Sequence, residues 1–300
     1  MARPPSAVVS IALLSLSLAL GHLAPLSACD IPVYEYALLN WSRQDYTLCY
    51  LHDGAEAPAD AEANKLLRKV AAGKEGHANL RFVSLKATQD PEGLSPEDRY
   101  VLKTTSELSR PRHLLLSPKG RTVFSGRMTV ADVRDLLASA QTASLAGMLL
   151  RGTHGVLVVM TDRNEAQNAA ALKAAQNAVH AAEGTGVSVG LLEVSRQDPK
   201  ERWLVRQLLQ VETDLANLDG PMVFGAYGRC HLTEAYLGKG ITATNLQGLV
   251  AFMKGPCTCD IKAANLGVDL VTNYDWESSL PATGTPLNLT EPGGYVTFGE

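Results

Sequence analysis

The apolar and polar positions divide residues 46–254 into a repeated order of strands and helices. The run Tyr46-Thr47-Leu48-Cys49-Tyr50-Leu51-His52 predicts a strand, and Asp53-Gly54 with Pro58 marks the turn that follows. Between Ala61 and Ala72, the residues Ala63, Leu66, Leu67 and Val70 share one helical face, and Gly73 stops the helix. Leu80–Leu85 predicts a second strand, and Ser95-Pro96-Glu97 opens a short helix with proline in its first turn. Two more strands are predicted around His113–Leu116 and Arg121–Phe124, and a helix from Thr129 to about Ala138. The order is β-α-β-α-β-β-α.

The second half repeats that order. Gly155–Met160 is uninterruptedly apolar, as a strand buried on both faces must be. An Ala-rich helix over Asn164–Glu183 ends at Gly184, and Val187–Val194 predicts the next strand. Pro199–Val211 predicts a helix with Leu204, Leu208 and Val211 on one face. Then come a strand at Met222–Ala226, a second over Cys230–Leu237, and a Thr242-capped helix to Met253. Pro111 and Pro221 take matching places, each just before a strand, a Gly turn, a second strand and a Thr-started helix. The fold class is therefore α/β with two repeats, placed at residues 46–145 and 152–255. Residues 29–45 form an aromatic-rich segment expected to pack on the first repeat. Residues 256–300 form an extension, expected to dock on the second repeat as far as Trp276 and to be mobile beyond.

The leader changes the expected address. Residues 1–28 hold no acid and one base, Arg3, and the apolar run Ala7–Leu20 is short for a membrane span of roughly 20 residues. It fits the apolar region of a signal peptide. Leu26-Ser27-Ala28-Cys29 resembles a bacterial lipobox, which implies cleavage after Ala28 and a diacylglyceryl group on Cys29. The expected location is extracytoplasmic, in the periplasm or cell envelope, with the membrane as one partner and an envelope protein as another. A net charge of −4, with 27 Lys+Arg against 31 Asp+Glu, speaks against nucleic acid as a partner. Hydrophobic residues at 46% exclude collagen-like and largely disordered classes.

The β-α-β-α-β-β-α order resembles the thioredoxin fold, twice, over about residues 46–140 and 152–254. The resemblance implies a cis-proline before the third core strand, at Pro111 and Pro221. It also implies a Cys-x-x-Cys pair where the first strand meets its helix, since a helix N-terminus lowers a thiol pKa. Here those positions read His52-Asp53-Gly54-Ala55-Glu56 and Thr161-Asp162-Arg163-Asn164, and neither holds a cysteine. The usual dithiol exchange is unavailable there.

Other chemistry is sparse. Cys257-Thr258-Cys259 is the one paired-thiol motif. It could close a strained, reducible disulfide or give two soft ligands to a metal that needs more; the plainer readings are that each thiol pairs elsewhere as a structural disulfide, that one pairs with Cys230 or Cys49, or that the thiols are buried and inert. His52 and His231 are candidate bases or ligands, with the plainer reading that each is a surface or satisfied core residue. Lys65, Arg68, Lys69 and Lys74 read as a solvated helix face. No phosphate loop, zinc-protease motif or nucleophile elbow occurs, and no cofactor or metal is expected. Three functions follow: a non-catalytic, lipid-anchored module binding a protein or peptide, a thiol oxidoreductase or metal handler using Cys257 and Cys259, or a purely structural role.

Overall fold

The computed structural model describes residues 31–280. The candidate lipidation site Cys29, the leader and residues 281–300 lie outside the described residues. Chain order is α1 (Val33–Asn40), β1 (Tyr46–His52), α2 (Ala61–Ala71), β2 (Leu80–Lys86), α3 (Pro96–Thr104), β3 (Arg112–Leu116), β4 (Thr122–Gly126) and α4 (Val130–Leu137). It continues through α5 (Ala140–Leu150), β5 (Gly155–Thr161), α6 (Glu165–Glu183), β6 (Val189–Ser195), α7 (Arg202–Leu208), β7 (Met222–Tyr227), β8 (His231–Leu232), β9 (Tyr236–Leu237) and α8 (Ala243–Lys254). The extension adds α9 (Cys259–Ala264), β10 (Val268–Asp269) and α10 (Trp276–Ser279).

Two mixed sheets flanked by helices result, and each has the thioredoxin-like strand order. In the first the order is β2-β1-β3-β4, with β1 parallel to β2 and antiparallel to β3. In the second it is β10-β8-β7-β5-β6, with β9 also on β7. Central β5 is buried along its whole length because helices cover both faces. Val156, Val158 and Met160 enter one core cluster, and Leu157 and Val159 another. On the latter face Ala171, Ala175, Ala178 and Ala182 of α6 pack with Leu246 and Val250 of α8, their small side chains admitting close approach.

Four features depart from the expectations. First, the aromatic segment packs on the second repeat, not the first. Val33, Tyr36 and Ala37 of α1 join Leu157, Val223 and Leu249. The backbone fixes the choice: Val33 N–H donates to Gly255 O at 2.9 Å, Cys257 N–H donates to Ile31 O at 2.8 Å, and Arg229 Nε donates to Leu38 O at 2.8 Å. Second, residues 140–150 form one helix, α5, whose Leu145, Ala146 and Leu149 bury in the second repeat. Its N-cap Ser139 donates to the buried carboxylate of Glu201 at 2.5 Å, and Glu201 also accepts from Gln141 N at 3.1 Å.

Third, only the bond before Pro111 is cis among the described residues, so the expectation of a cis bond at Pro221 fails. There Gly220, at φ +94°, makes the turn instead. Fourth, the extension docks on both repeats. β10 pairs with β8, while Asn79 of the first repeat donates to Leu270 O at 3.1 Å and accepts from Thr272 N at 2.9 Å.

The repeats meet along α7. Trp203 is buried in the first repeat's core beside Phe124, ring centroids 5.2 Å apart, and Arg206 lies over both rings. Arg202 bonds Asp132 and Asp135 at 2.7 Å each, and Arg121 donates to the carbonyls of Gln210 and Val211.

Candidate functional site

The end of the first repeat where β1 runs toward α2 faces the cis-Pro111 loop, which it meets through Arg110 and Asp53. A buried carboxylate stands further on, where α2 begins. Asp60 precedes α2, is 2% exposed, and does not cap the helix. Its Oδ1 accepts from Arg127 Nη2 at 2.6 Å and its Oδ2 from the Tyr50 hydroxyl at 3.0 Å. Beneath it, His113 Nδ1 accepts from Met128 N–H at 3.0 Å. The proton therefore sits on Nε2, which donates to Asn64 Oδ1 at 2.9 Å. Burial pushes His113 down to about 4, with Asp60 opposing the shift. The group is a neutral imidazole with both ring nitrogens hydrogen-bonded, while Nδ2 of its partner Asn64 is buried without one.

Both repeats tie the strand end to the residue before the proline. In the first, Arg110 Nη1 reaches Asp53 Oδ1 at 3.4 Å, while its buried Nε has no partner. In the second, Asp162 Oδ2 accepts from Gly220 N at 2.9 Å and Oδ1 from Gln197 Nε2 at 2.7 Å. Burial alone would raise the Asp162 carboxyl, but these bonds and Arg196 outweigh it and hold it below its ordinary value. Asp53 and Asp162 each follow the last residue of the first strand, so this tie is a property of the repeat.

The cysteines are scattered. Cys49 projects to the opposite sheet face, among Leu51, Leu85 and Val101, where burial pushes its thiol up to about 12. Cys230 is buried in the second core at φ +65°, and burial holds its thiol well above the ordinary value. Both carry free thiols, which corrects the expectation that either pairs with Cys257 or Cys259. Cys257 is buried beneath α1, whereas Cys259 is exposed at the start of α9. Among the described residues no three His, Cys, Asp or Glu side chains gather as a metal site. In the native protein a thiol reagent is expected to modify Cys259 while Cys49 and Cys230 react only on unfolding; peptide mapping that finds Cys49 modified under native conditions would refute this burial argument.

The two candidate histidines are both engaged. His52 Nδ1 meets Gly54 O at 2.6 Å and its Nε2 meets Ser84 Oγ at 3.1 Å. His231 is 2% exposed, with Nδ1 at 2.6 Å from Asp269 Oδ1 and Nε2 at 2.5 Å from Leu266 O. Spacing gave no hint of Asp269, which lies 38 residues away. The basic face is ion-paired: Lys69 with Glu75 at 2.9 Å, Arg68 with Glu56 at 3.0 Å.

A second feature of the first repeat is an open groove of about 1120 Å³ over β3 and β4. Leu114 and Leu116 contribute to its floor, and Tyr100 and Val101 of α3 to one wall. No cysteine or histidine lines it. Among the described residues, no helix is long and apolar enough to cross a membrane.

No known family profile matches the chain, and no curated protein matches it. Solved structures similar to it include the first two thioredoxin domains of Saccharomyces cerevisiae Eps1p, at 10% identity and TM-score 0.24, covering 69% of this chain and 91% of that one. Human ERp44 in its zinc-bound form is similar at 11% identity and TM-score 0.25, covering 74% and 60%. The NTD_N/C domain of alkylhydroperoxide reductase AhpF from Enterococcus faecalis is similar at 14% and 0.22, covering 73% and 93%. At such scores the strand order and pairing described above are the firmer ground for the fold.

Proposed function

We propose that this chain is a non-catalytic, lipid-anchored protein of the cell envelope whose tandem thioredoxin-like domains bind a protein or peptide partner. The observation that carries this reading is the turn after β1, residues 52–56, which holds no cysteine. It meets the cis-Pro111 loop through Asp53 and Arg110 at 3.4 Å, where dithiol chemistry would need a thiolate. A scaffold without that nucleophile retains its loops and grooves as recognition surfaces. The leader and Leu26-Ser27-Ala28-Cys29 support the anchor. The oxidoreductase alternative needs Cys257 and Cys259 presented together, and the burial of Cys257 weighs against it.

The test has two arms. Purified protein is expected to leave the dithiothreitol-driven reduction of insulin at its uncatalysed rate; an acceleration lost in Cys259→Ser would overturn the non-catalytic reading. Intact mass of protein from detergent-solubilised membranes is expected to show a lipidated N-terminal Cys29, and affinity purification of that material a stoichiometric partner. An unmodified N-terminus would remove the anchor, and reproducible isolation of the chain alone would remove the binding role.

A further inference from the structure

The two repeats cover corresponding sheet faces unequally. In the second, α5 buries Leu145 and Leu149 on the face where β5 displays Val156 and Val158. Leu204 and Leu208 of α7, with Val211, bury on the same face with Phe224, Ala226 and Leu232 of β7 and β8. The first repeat has one helix for that face. α3 lies toward β2, held by the bidentate Arg81–Asp98 pair at 2.9 and 3.2 Å. Its Val101 packs with Cys49, Leu51 and Leu85. What remains over β3 and β4 is the groove of about 1120 Å³.

Strand register identifies what the groove lacks. Leu114 pairs with Cys49 as Phe224 pairs with Val158, and Leu116 pairs with Thr47 as Ala226 pairs with Val156. One strand further out, Thr122 pairs with Leu116 as Leu232 pairs with Ala226. Phe224, Ala226 and Leu232 are each 0% exposed. Leu116 is only half-buried and Thr122 is exposed. Tyr100 on the groove wall is 67% exposed, an unusual position for a large aromatic ring. The groove also continues an existing interface: Ser117, Pro118, Lys119 and Gly120 line its far end, and Arg121 from the same turn bonds Gln210 and Val211 of the second repeat.

We propose that this groove is the docking site for an amphipathic helix of a partner protein, with apolar side chains spaced i and i+4. That spacing is the one Leu204 and Leu208 of α7 present to the corresponding face of the second repeat, where Val211 follows just beyond the helix. The assignment rests on the binding reading above and names its surface and partner class. The apolar side chains of the incoming helix bury against Leu116 and the Tyr100 ring, above Leu114, which Val101 already covers. Tyr100 closes over one flank, and Thr122 and Lys119 meet its polar side.

The probe is a fluorescein-labelled synthetic peptide of residues 199–213 of this chain, titrated against the protein lacking its leader. Saturable binding is expected, weakened at least about tenfold by Thr122→Arg and by Tyr100→Ala. Both positions are exposed, so thermal melts of the variants should overlay the parent. No saturation up to millimolar peptide, or equal affinity in both variants, would overturn the proposal. So would concentration-dependent dimerisation that Thr122→Arg abolishes, which would give the groove to a second copy. A tenfold gain in peptide affinity on deleting residues 281–300 would overturn it too, by giving the groove to the chain's own terminus. If Thr122→Arg still co-purifies with a partner from membranes, the groove assignment falls while the binding function stands.

Discussion

Replacing His231 with alanine is expected to lower stability by about 3 kcal/mol, the cost of leaving a buried carboxylate and a buried carbonyl without their shared hydrogen-bond partner. The two ring nitrogens of His231 meet Asp269 Oδ1 at 2.6 Å and Leu266 O at 2.5 Å, both inside the protein. Asp269 also accepts from Gln44 N at 2.8 Å. One histidine therefore fastens β10, the loop before it and the chain entering β1. The fit is close: a Cβ on Gly267, at φ +108°, would lie 2.0 Å from Leu232 O and 2.6 Å from His231 Nε2. Without the ring, the Asp269 charge keeps Gln44 alone and Leu266 O loses its donor. The melting temperature should fall on the order of 10 °C, and limited proteolysis should open the chain between β10 and α10 first. Asp269→Asn keeps an acceptor for Nδ1–H and should cost less. A melt of His231→Ala within a degree or two of the parent would refute the clamp.

The second large effect is a loss of stability in mild acid, traced to His113. Its folded value, pushed down to about 4 by burial, lies below the ordinary histidine value near 6.5. The unfolded chain therefore takes up this proton first as pH falls. The contribution is fully present above about pH 6.5, is lost as pH drops toward 4, and amounts to roughly 3 kcal/mol across that window. The groups that bear on the ring electrostatically are Asp60, Glu56 and Asp132, which favour protonation, and Arg127, which opposes it. Protonation would also put a hydrogen on Nδ1, against the Met128 N–H that now donates to it. Urea titrations of the parent and His113→Gln at several pH values isolate the effect, because the other carboxylates are common to both. The parent should lose stability between pH 6.5 and 4 more steeply than the variant; superimposable slopes would exclude His113 as the source.

Much of this architecture is readable from residue patterns. β1, α2, β2 and the uniformly apolar β5 fall where alternation, helical spacing and glycine stops put them, because local period and burial agree there. The failures have tertiary causes. α5 carries Ala, Ser, Thr and Gly among its leucines, so its buried stripe gives little contrast against its exposed side. The segment Cys230–Leu237 divides into β8 and β9 because Thr233 turns its hydroxyl back to Gly225 N at 2.8 Å, interrupting the ladder. The choice of α1 for the second repeat depends on backbone partners at residues 255–257, more than 200 positions away, which no local window contains. The site was legible by what it lacks, since the missing Cys-x-x-Cys shows directly in the residues. The buried polar cluster near it was not: Asp60, Arg127 and His113 are separated by 67 and 53 positions and meet only through the β1–β3 pairing.

The placement of α1 has a consequence for how the protein is made. The helix emerges early from the ribosome, yet the β7 and α8 surfaces it covers are translated about 200 residues later. At the usual synthesis rate of ~5–20 residues per second, it waits roughly 10–40 s for its seat. During that interval β1 through α4 can already collapse on themselves, so a helix made before them becomes one of the last elements to settle. Vectorial production thus ends with α1 folding back over β7 and α8, a closing step that slows or fails whenever translation stops before Lys254.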